Sequence, residues 1–292
     1  MWVITLVPFG VGYLMAHRQQ GAHQSLCRQT SSECVSAILS LSASLLVWGP
    51  LICLAALAIN DVYDVQGDSL NPRRVDAPVS TGRRSTRFAF VAAHVAAAGA
   101  VLVAANIRPA FALVTLVFLV LAWLYSIPPV RLKVRPGFDV AINAVGDGGL
   151  TILGGWTSAR SIGGFPWVIF VVGCLAAAGW YLPTTILDYE SDLDAGYTTT
   201  AIRLGPRVTY RIGLGFWTAA GVACFALAAT GVILPRHAMW PLAVSVPGLI
   251  WLYYWALGRA YEQPALQRGM TVMSYASFGP LLVILLMYAG IL

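Results

Sequence analysis

Two groups of acidic residues each come directly after a long apolar stretch of the chain. Eight of the twelve Asp and Glu residues belong to them: Asp61, Asp64, Asp68 and Asp76 to the first, and Asp188, Glu190, Asp192 and Asp194 to the second. If a helix continues through the first group, the spacing i, i+3, i+7 places Asp61, Asp64 and Asp68 on one face. Asp188 and Asp192, at i and i+4, would share a face in the same way.

Five such carboxylates at the mouth of a membrane cavity would repel one another and lose hydration energy unless a cation neutralised them. Mg²⁺ suits this role because it prefers oxygen ligands and keeps coordination positions for water and phosphate oxygens. We therefore predict that two or three Mg²⁺ ions hold a diphosphate between the groups, with these ligands: Asp61, Asp64, Asp68, Asp188 and Asp192. The alternative is solvated helix ends at the head-group boundary, where acids are typically few and scattered.

Basic residues accompany the acidic groups on the same predicted side of the membrane: Arg73, Arg74, Arg83, Arg131 and Lys133. Their side chains could neutralise the departing diphosphate through charge-assisted hydrogen bonds. Membrane topology alone also predicts basic loops on the cytoplasmic side. Both interpretations stay open for each individual residue.

The composition indicates the elements that must position these residues. The chain has 292 residues, of which 58% are hydrophobic and 10% charged, so it is typical of an all-α, polytopic membrane protein. Nine apolar stretches predict nine transmembrane helices around a central cavity: 2–16, 36–59, 86–106, 109–126, 139–158, 165–187, 209–234, 238–258 and 271–291. The first is short for a complete span. No linker divides the chain, so we expect a single domain over residues 1–292.

The distribution of basic residues predicts an orientation. Under the nine-helix model, thirteen of the 18 Lys and Arg residues fall on one side, which the positive-inside rule assigns to the cytoplasm. Both acidic groups lie on that side, so we expect a multi-pass protein of a prokaryotic plasma membrane whose active site faces the cytoplasm. Scattered Arg residues in several loops fit topology and anionic head groups better than nucleic-acid binding.

Three further features have two interpretations each. Asp147 is predicted inside the fifth stretch, where an ionisable group suggests either a catalytic role or a pairing with a neighbouring helix. Pro50 and Pro183 each precede an acidic group, and could bend two helices toward a shared cavity or be ordinary kinks. Cys27 and Cys34 share a predicted outer loop and could form a disulfide in an oxidising compartment.

Three motifs in these regions resemble those of the UbiA superfamily of intramembrane prenyltransferases. The segment NDVYDVQGD, residues 60–68, matches the pattern NDxxDxxxD completely. DYESDLDAG, residues 188–196, is similar to the second motif, although Ser191 stands where Gly is frequent. YSIPPVRLK, residues 125–133, resembles the loop after the fourth helix. A departure follows the first motif, where Ala77-Pro78 replaces the frequent Arg-Pro pair and puts the usual Arg contact in doubt.

The resemblance implies nine helices and Mg²⁺-dependent ionisation of an isoprenoid diphosphate, whose prenyl group passes to an aromatic, quinone-precursor or lipid acceptor. It assigns metal binding to the motif aspartates. Asp64, Asp192 and Asp147 are our candidates for the catalytic residues. The candidates for diphosphate contacts are Asn60, Arg73, Arg74, Tyr125, Arg131 and Lys133.

Two alternatives to transfer remain. A terpene cyclase of the same superfamily would let the double bonds of farnesyl or geranylgeranyl diphosphate attack the cation internally. An ion or metabolite transporter would use intramembrane carboxylates to coordinate its cargo. A transporter predicts acids near the bilayer midplane, whereas most acids here lie at helix ends on one predicted side.

Overall fold

The computed structural model describes residues 2–18, 31–74, 76–258 and 263–288. Within these ranges every regular element is a helix. Six helical segments are long and apolar enough to cross a membrane: Val35–Tyr63, Thr86–Ile107, Pro109–Ser126, Trp167–Leu187, Pro206–Thr230 and Arg236–Leu257. The predicted all-α, polytopic membrane class is therefore confirmed, while the exact count of nine spans stays a prediction.

The helices, in chain order, are α1 (Trp2–Arg18), α2 (Ser31–Leu46), α3 (Ile52–Tyr63), α4 (Val65–Leu70), α5 (Thr86–Ile107), α6 (Pro109–Ser126), α7 (Phe138–Asn143), α8 (Thr151–Ala159), α9 (Trp167–Leu187), α10 (Tyr189–Asp194), α11 (Thr200–Leu204), α12 (Pro206–Thr230), α13 (Met239–Leu257) and α14 (Gln263–Tyr288). Two π-helical turns, Val47–Leu51 and Ala144–Leu150, join α2 to α3 and α7 to α8. Each of the nine predicted apolar stretches coincides with helix in the described residues.

The chain forms two compact units. Unit 1 contains the described residues of Met1–Ser69, Arg73–Val130 and Leu150–Phe165. Unit 2 contains those of Leu70–Pro72, Arg131–Gly149 and Pro166–Leu292. All four residues of the first acidic group lie in unit 1, and the second group lies in unit 2.

Glycine allows the closest helix packing in unit 1, where α1 lies against α8. A Cβ added to Gly12 would lie 1.9 Å from the Ile152 carbonyl oxygen, and one added to Gly155 would lie 1.9 Å from that of Phe9. Neither position can therefore accept a larger side chain without separating the helices. Beside this contact the Phe9 ring stacks on Trp48 with ring centroids 5.7 Å apart.

The helical run that leads to the first acidic group contains a π-helical turn at Pro50. Proline has no backbone N–H to donate, so the α-helical hydrogen-bond pattern cannot pass through it unchanged. The Ile52 N–H donates to the Val47 carbonyl, five residues back, and α3 then runs to Tyr63. The predicted irregularity at Pro50 is thus a local widening of the helix.

Small residues let α5 pack tightly inside unit 1. Its alanines at helical spacing are all buried: Ala89, Ala93, Ala96, Ala100 and Ala104. Ala93 packs with Ala58 and Ile59 of α3, which fixes the helix that carries the first acidic group. Small side chains at such spacing are typical of helix contacts in membranes.

In unit 2, α9 packs against α12 around a buried tyrosine from α13. Tyr253 is fully buried, and its hydroxyl donates to the Gly179 carbonyl at 2.9 Å. Ile186 and Leu187, at the end of α9, belong to the same apolar cluster as Tyr253. This packing fixes the helix end from which the second acidic group begins.

Candidate active site

The first acidic group lies where α3 gives way to α4. The helix does not continue unbroken through residue 68, because Asp64 interrupts it with φ −110° and ψ 6°. The Asp68 N–H still donates to the Asp64 carbonyl at 2.7 Å, so one helical turn continues across the break. Asp68 is buried, whereas Asp61 and Asp64 are half-buried.

A single guanidinium contacts two carboxylates of this group. Arg74 Nη1 lies 3.6 Å from Asp61 Oδ1, and Arg74 Nε lies 3.7 Å from Asp68 Oδ1. Two carboxylates therefore converge on one positive charge within unit 1. Arg73 is exposed, and Arg83 forms its ion pair with exposed Asp76 at 3.6 Å.

The end of α6 brings the third motif to the first. Buried Ser126 donates from Oγ to Asn60 Oδ1 at 3.4 Å. Tyr125, the neighbouring residue, is half-buried. This hydrogen bond, within unit 1, places the residue after Tyr125 against the amide of Asn60, which is predicted to contact the diphosphate.

The second acidic group begins at the end of α9 and continues into α10. Asp188 stands between the two helices, as the residue after α9 and before α10. The Asp192 N–H donates to its carbonyl at 2.8 Å, so the predicted i, i+4 relation is present. Asn71 Nδ2 donates to Asp188 Oδ1 at 2.7 Å. Asp188 and Asp192 are half-buried, and Ser191 between them is buried.

Arg131 interacts with the residue that follows the second motif. Its Nη2 donates to Tyr197 Oη at 2.8 Å, and its guanidinium carbon lies 4.7 Å from the centre of the Tyr197 ring. The Tyr197 N–H donates to the Asp192 carbonyl at 2.8 Å. Arg131 has φ 39°, in the left-handed region, and Lys133 is buried. Arg131 and Lys133, both predicted to contact the diphosphate, belong to unit 2.

Asp139 was missing from the predicted site, although the structure gives it a central part in holding unit 2 together. Its carboxylate is fully buried, and Oδ2 accepts from the Thr200 N–H at 2.8 Å. The Thr200 hydroxyl also donates to Oδ1, and the Gly137 N–H donates to that hydroxyl at 2.8 Å. Asp139 thus fastens the start of α7 to the start of α11, just after the second motif.

Asp147 lies in the π-helical turn between α7 and α8, and its side chain is exposed. A Cβ added to neighbouring Gly148 would lie 2.3 Å from the Gly173 carbonyl oxygen, so the adjacent glycine serves close packing against α9. The catalytic role of Asp147 stays a prediction. The predicted Cys27–Cys34 pair involves Cys27, which is outside the described residues.

An apolar groove of about 610 Å³ lies within unit 1. It runs between α5 and α6 and includes Trp123 and Ile127 in its lining. Both side chains also pack in the cluster that contains Tyr63, the residue before Asp64. The groove therefore offers hydrocarbon surface that is connected, through this cluster, to the helix that leads to the first acidic group.

The donor chemistry of the first group fits Mg²⁺. Asp61 and Asp68 already share a cation in Arg74, and Mg²⁺ is usually held by one or two carboxylates with substrate and water completing its coordination. Among the described residues no cluster of three or more His, Cys, Asp and Glu side chains is arranged as a metal site. A metal at the first group would thus take one or two carboxylate ligands there and the remainder from phosphate and water.

The family follows from comparison with known proteins. Residues 5–279 match the model of the UbiA prenyltransferase family. The chain belongs to this family, which confirms the resemblance drawn from its motifs.

Several curated proteins are similar to parts of the chain. A lycopene elongase/hydratase of Haloarcula japonica is 35% identical over 54% of this chain and 53% of its own length. One of Haloferax volcanii is 31% identical over 65% of the chain and 62% of its own length. A probable homogentisate phytyltransferase 2 of Oryza sativa is 29% identical over 67% of the chain and 55% of its own length. The chain thus aligns with somewhat more than half of each relative.

Solved structures share the fold over nearly the whole chain. A UbiA homologue from Archaeoglobus fulgidus, bound to GPP and Mg²⁺, has a TM-score of 0.71 at 20% identity, covering 97% of this chain and 95% of that one. A digeranylgeranylglyceryl phosphate synthase has a TM-score of 0.70 at 14% identity, covering 99% and 94%. At these identities the likeness establishes the fold.

Proposed function

We propose that this protein is a Mg²⁺-dependent prenyltransferase that ionises an isoprenoid diphosphate and transfers the prenyl group to a hydrophobic acceptor. The observation that carries the proposal is the convergence of Asp61 and Asp68 on a single cation, at the motif predicted to bind metal. Family membership and the GPP and Mg²⁺ bound to the Archaeoglobus fulgidus homologue support it.

The proposed metal ligands are Asp61, Asp64, Asp68, Asp188 and Asp192. Bound Mg²⁺ would stabilise the negative charge that develops on the diphosphate as its bond to the prenyl carbon breaks. Arg74, next to the first group, and Arg131, next to the second, would add positive charge at the same oxygens. Asn60 would orient the diphosphate through its amide.

Bond breaking sends the electron pair to the diphosphate oxygen and leaves an allylic cation. A double bond of the acceptor attacks this cation, which forms a carbon–carbon bond and moves the positive charge onto the acceptor. The cationic acceptor then either loses a proton to form a new double bond, or adds water and releases a proton from the added water to form an alcohol. The apolar groove beside Trp123 would exclude bulk water and supply an aromatic face to the cation.

We infer that the acceptor is an extended isoprenoid hydrocarbon rather than a hydroxylated aromatic ring. The names of the two Haloarcula and Haloferax relatives specify lycopene, and each is more similar to this chain than the phytyltransferase is. The apolar groove agrees with a substrate that needs no hydrogen bonds. We further propose that residues 1–292 act as one domain in a plasma membrane, with both acidic groups facing the cytoplasm.

The decisive assay uses purified protein in detergent with Mg²⁺ and dimethylallyl, geranyl, farnesyl or geranylgeranyl diphosphate. Each donor is tested with lycopene, with homogentisate and without acceptor, while diphosphate release and organic products are measured. A prenylated lycopene product supports the proposal. Transfer to homogentisate would show instead that the acceptor is a hydroxylated aromatic ring. A cyclic product without acceptor would show a terpene cyclase.

A parallel measurement addresses the transporter alternative. Failure of every donor to release diphosphate, together with ion flux in proteoliposomes that Asp64→Ala abolishes, would overturn the enzyme assignment. The proposal predicts the opposite pattern, in which Asp64→Ala removes diphosphate release and proteoliposomes show no flux dependent on Asp64.

A further inference from the structure

Asn71 contacts the second acidic group although it follows the first motif in sequence. Its Nδ2 donates to Asp188 Oδ1 at 2.7 Å across 117 positions of the chain, and both residues belong to unit 2. It lies between the end of α4 and the 3-10 turn Pro72–Arg74. Pro72 limits the backbone freedom of the residue before it, which favours one orientation for this side chain.

An amide donor does something for Asp188 that an arginine cannot. It holds the carboxylate in one orientation, yet it brings no net positive charge that would compete with a metal ion. A carboxylate has about four acceptor positions, and the hydrogen bond from Asn71 uses one of them. Outer partners of this kind orient metal-binding side chains in many metal sites.

We propose that Asn71 is a positioning residue that orients Asp188 for metal binding. This inference rests on the proposed function, because it requires Asp188 to be a Mg²⁺ ligand. The hydrogen bond fixes the carboxylate before the ion arrives, so less freedom is lost on binding. Its removal leaves the ligand in place but no longer oriented.

The test measures metal affinity directly, without substrate or turnover. Mn²⁺, used as a probe for Mg²⁺, is titrated into purified full-length protein while free Mn²⁺ is followed by electron paramagnetic resonance. We expect Asn71→Ala to weaken Mn²⁺ binding about 10-fold to 100-fold, the range typical for loss of an outer partner. Asn71→Ser, whose side chain is too short to reach Asp188, should weaken it equally and serves if the alanine variant does not fold.

Asn106→Ala is the matched control. Asn106 also donates its amide over 2.8 Å, but to the Leu102 carbonyl on the exposed end of α5, so Mn²⁺ binding should not change. The inference is overturned if folded Asn71→Ala or Asn71→Ser binds Mn²⁺ with wild-type affinity. This holds even if the variant melts at a lower temperature than wild type in EDTA, because Asn71 would then contribute to stability alone.

Asp188→Asn separates this inference from the proposed function. If Asp188→Asn weakens Mn²⁺ binding and the Asn71 variants do not, the metal site stands and the positioning role is wrong. If Asp188→Asn leaves Mn²⁺ binding unchanged and no donor releases diphosphate, the proposed function itself fails.

Discussion

The two acidic groups are held by different kinds of interaction. In unit 1, Asp61 and Asp68 lie 3.6 and 3.7 Å from a half-exposed guanidinium, distances of ion pairs without tight hydrogen bonds. In unit 2, hydrogen bonds of 2.7 Å at Asp188 and 2.8 Å at Arg131 and Tyr197 fix the surroundings of the second group. The first group is therefore balanced by a charge that can move, and the second is fixed by directional contacts.

This difference suggests a division of roles when Mg²⁺ and diphosphate bind. The Arg74 guanidinium is half-exposed and its ion pairs are long, so bound Mg²⁺ would take its place beside the largely buried carboxylates while Arg74 turns toward phosphate. Short hydrogen bonds resist such movement, so the second group would keep its geometry. The first group would then adapt to the substrate while the second acts as a fixed frame.

The largest effect on stability is expected at Asp139, the buried carboxylate that holds together the region of the second acidic group. Asp139→Ala should lower the free energy of unfolding by about 3 kcal/mol, because buried donors at Thr200 lose their acceptor. Thermal unfolding in detergent measures the change. Asp76→Ala is the control, because its ion pair with Arg83 is exposed and should contribute less than about 1 kcal/mol. If the two variants melted at the same temperature, Asp139 would not be the residue that fixes the region around the second acidic group.

A smaller effect is expected at the movable charge of the first group. Arg74→Ala should lower the unfolding free energy by about 2 kcal/mol without metal, because the largely buried carboxylates of Asp61 and Asp68 lose the positive charge beside them. Saturating Mg²⁺ should raise the melting temperature of Arg74→Ala more than that of wild type, since the ion would replace the lost charge.

Arg84→Ala provides the comparison for this prediction. Arg84 is exposed and lies over the Phe88 ring, 5.1 Å from its centre, so Mg²⁺ should stabilise Arg84→Ala and wild type equally. A smaller Mg²⁺ effect on Arg74→Ala than on wild type would show that Arg74 supports metal binding rather than competing with it.

The smallest effect is expected at Tyr197. Tyr197→Phe removes the hydroxyl that accepts from Arg131 but keeps the ring beneath the guanidinium. A hydrogen bond to a charged group contributes about 1.5 kcal/mol or more, so the KM for the prenyl diphosphate should rise roughly 10-fold with little change in kcat. Tyr275→Phe, at an exposed position, should leave both constants unchanged. A fall in kcat alone would indicate a role in the chemical step.

Local patterns predicted much of the fold. The nine apolar stretches coincide with helix, and the spacing of Asp61, Asp64 and Asp68 survives the break because the Asp68 N–H still reaches the Asp64 carbonyl. The break itself had no local signal, since neither Gly nor Pro stands at residue 64. Hydrophobic periodicity determines elements but carries little information on helix ends.

The partners of the site residues could not be predicted, because they come from distant positions. Asn71 and Asp188 are 117 residues apart, and Asp139 and Thr200 are 61 apart. A single carboxylate at the start of an apolar stretch, such as Asp139, has no periodic companion that would single it out. Tyr197 lies directly after the second motif, and this nearness in sequence was the signal that could have identified it as a site residue.

Binding of inorganic diphosphate tests most directly whether the two acidic groups share one metal-bound ligand. Isothermal titration calorimetry with Mg²⁺ would compare wild type, Asp64→Asn and Asp192→Asn. If both groups hold the same metal–diphosphate assembly, each variant alone should weaken binding at least about 100-fold, which corresponds to some 2.7 kcal/mol. Wild-type affinity in either folded variant would show that the diphosphate is held by one group without the other.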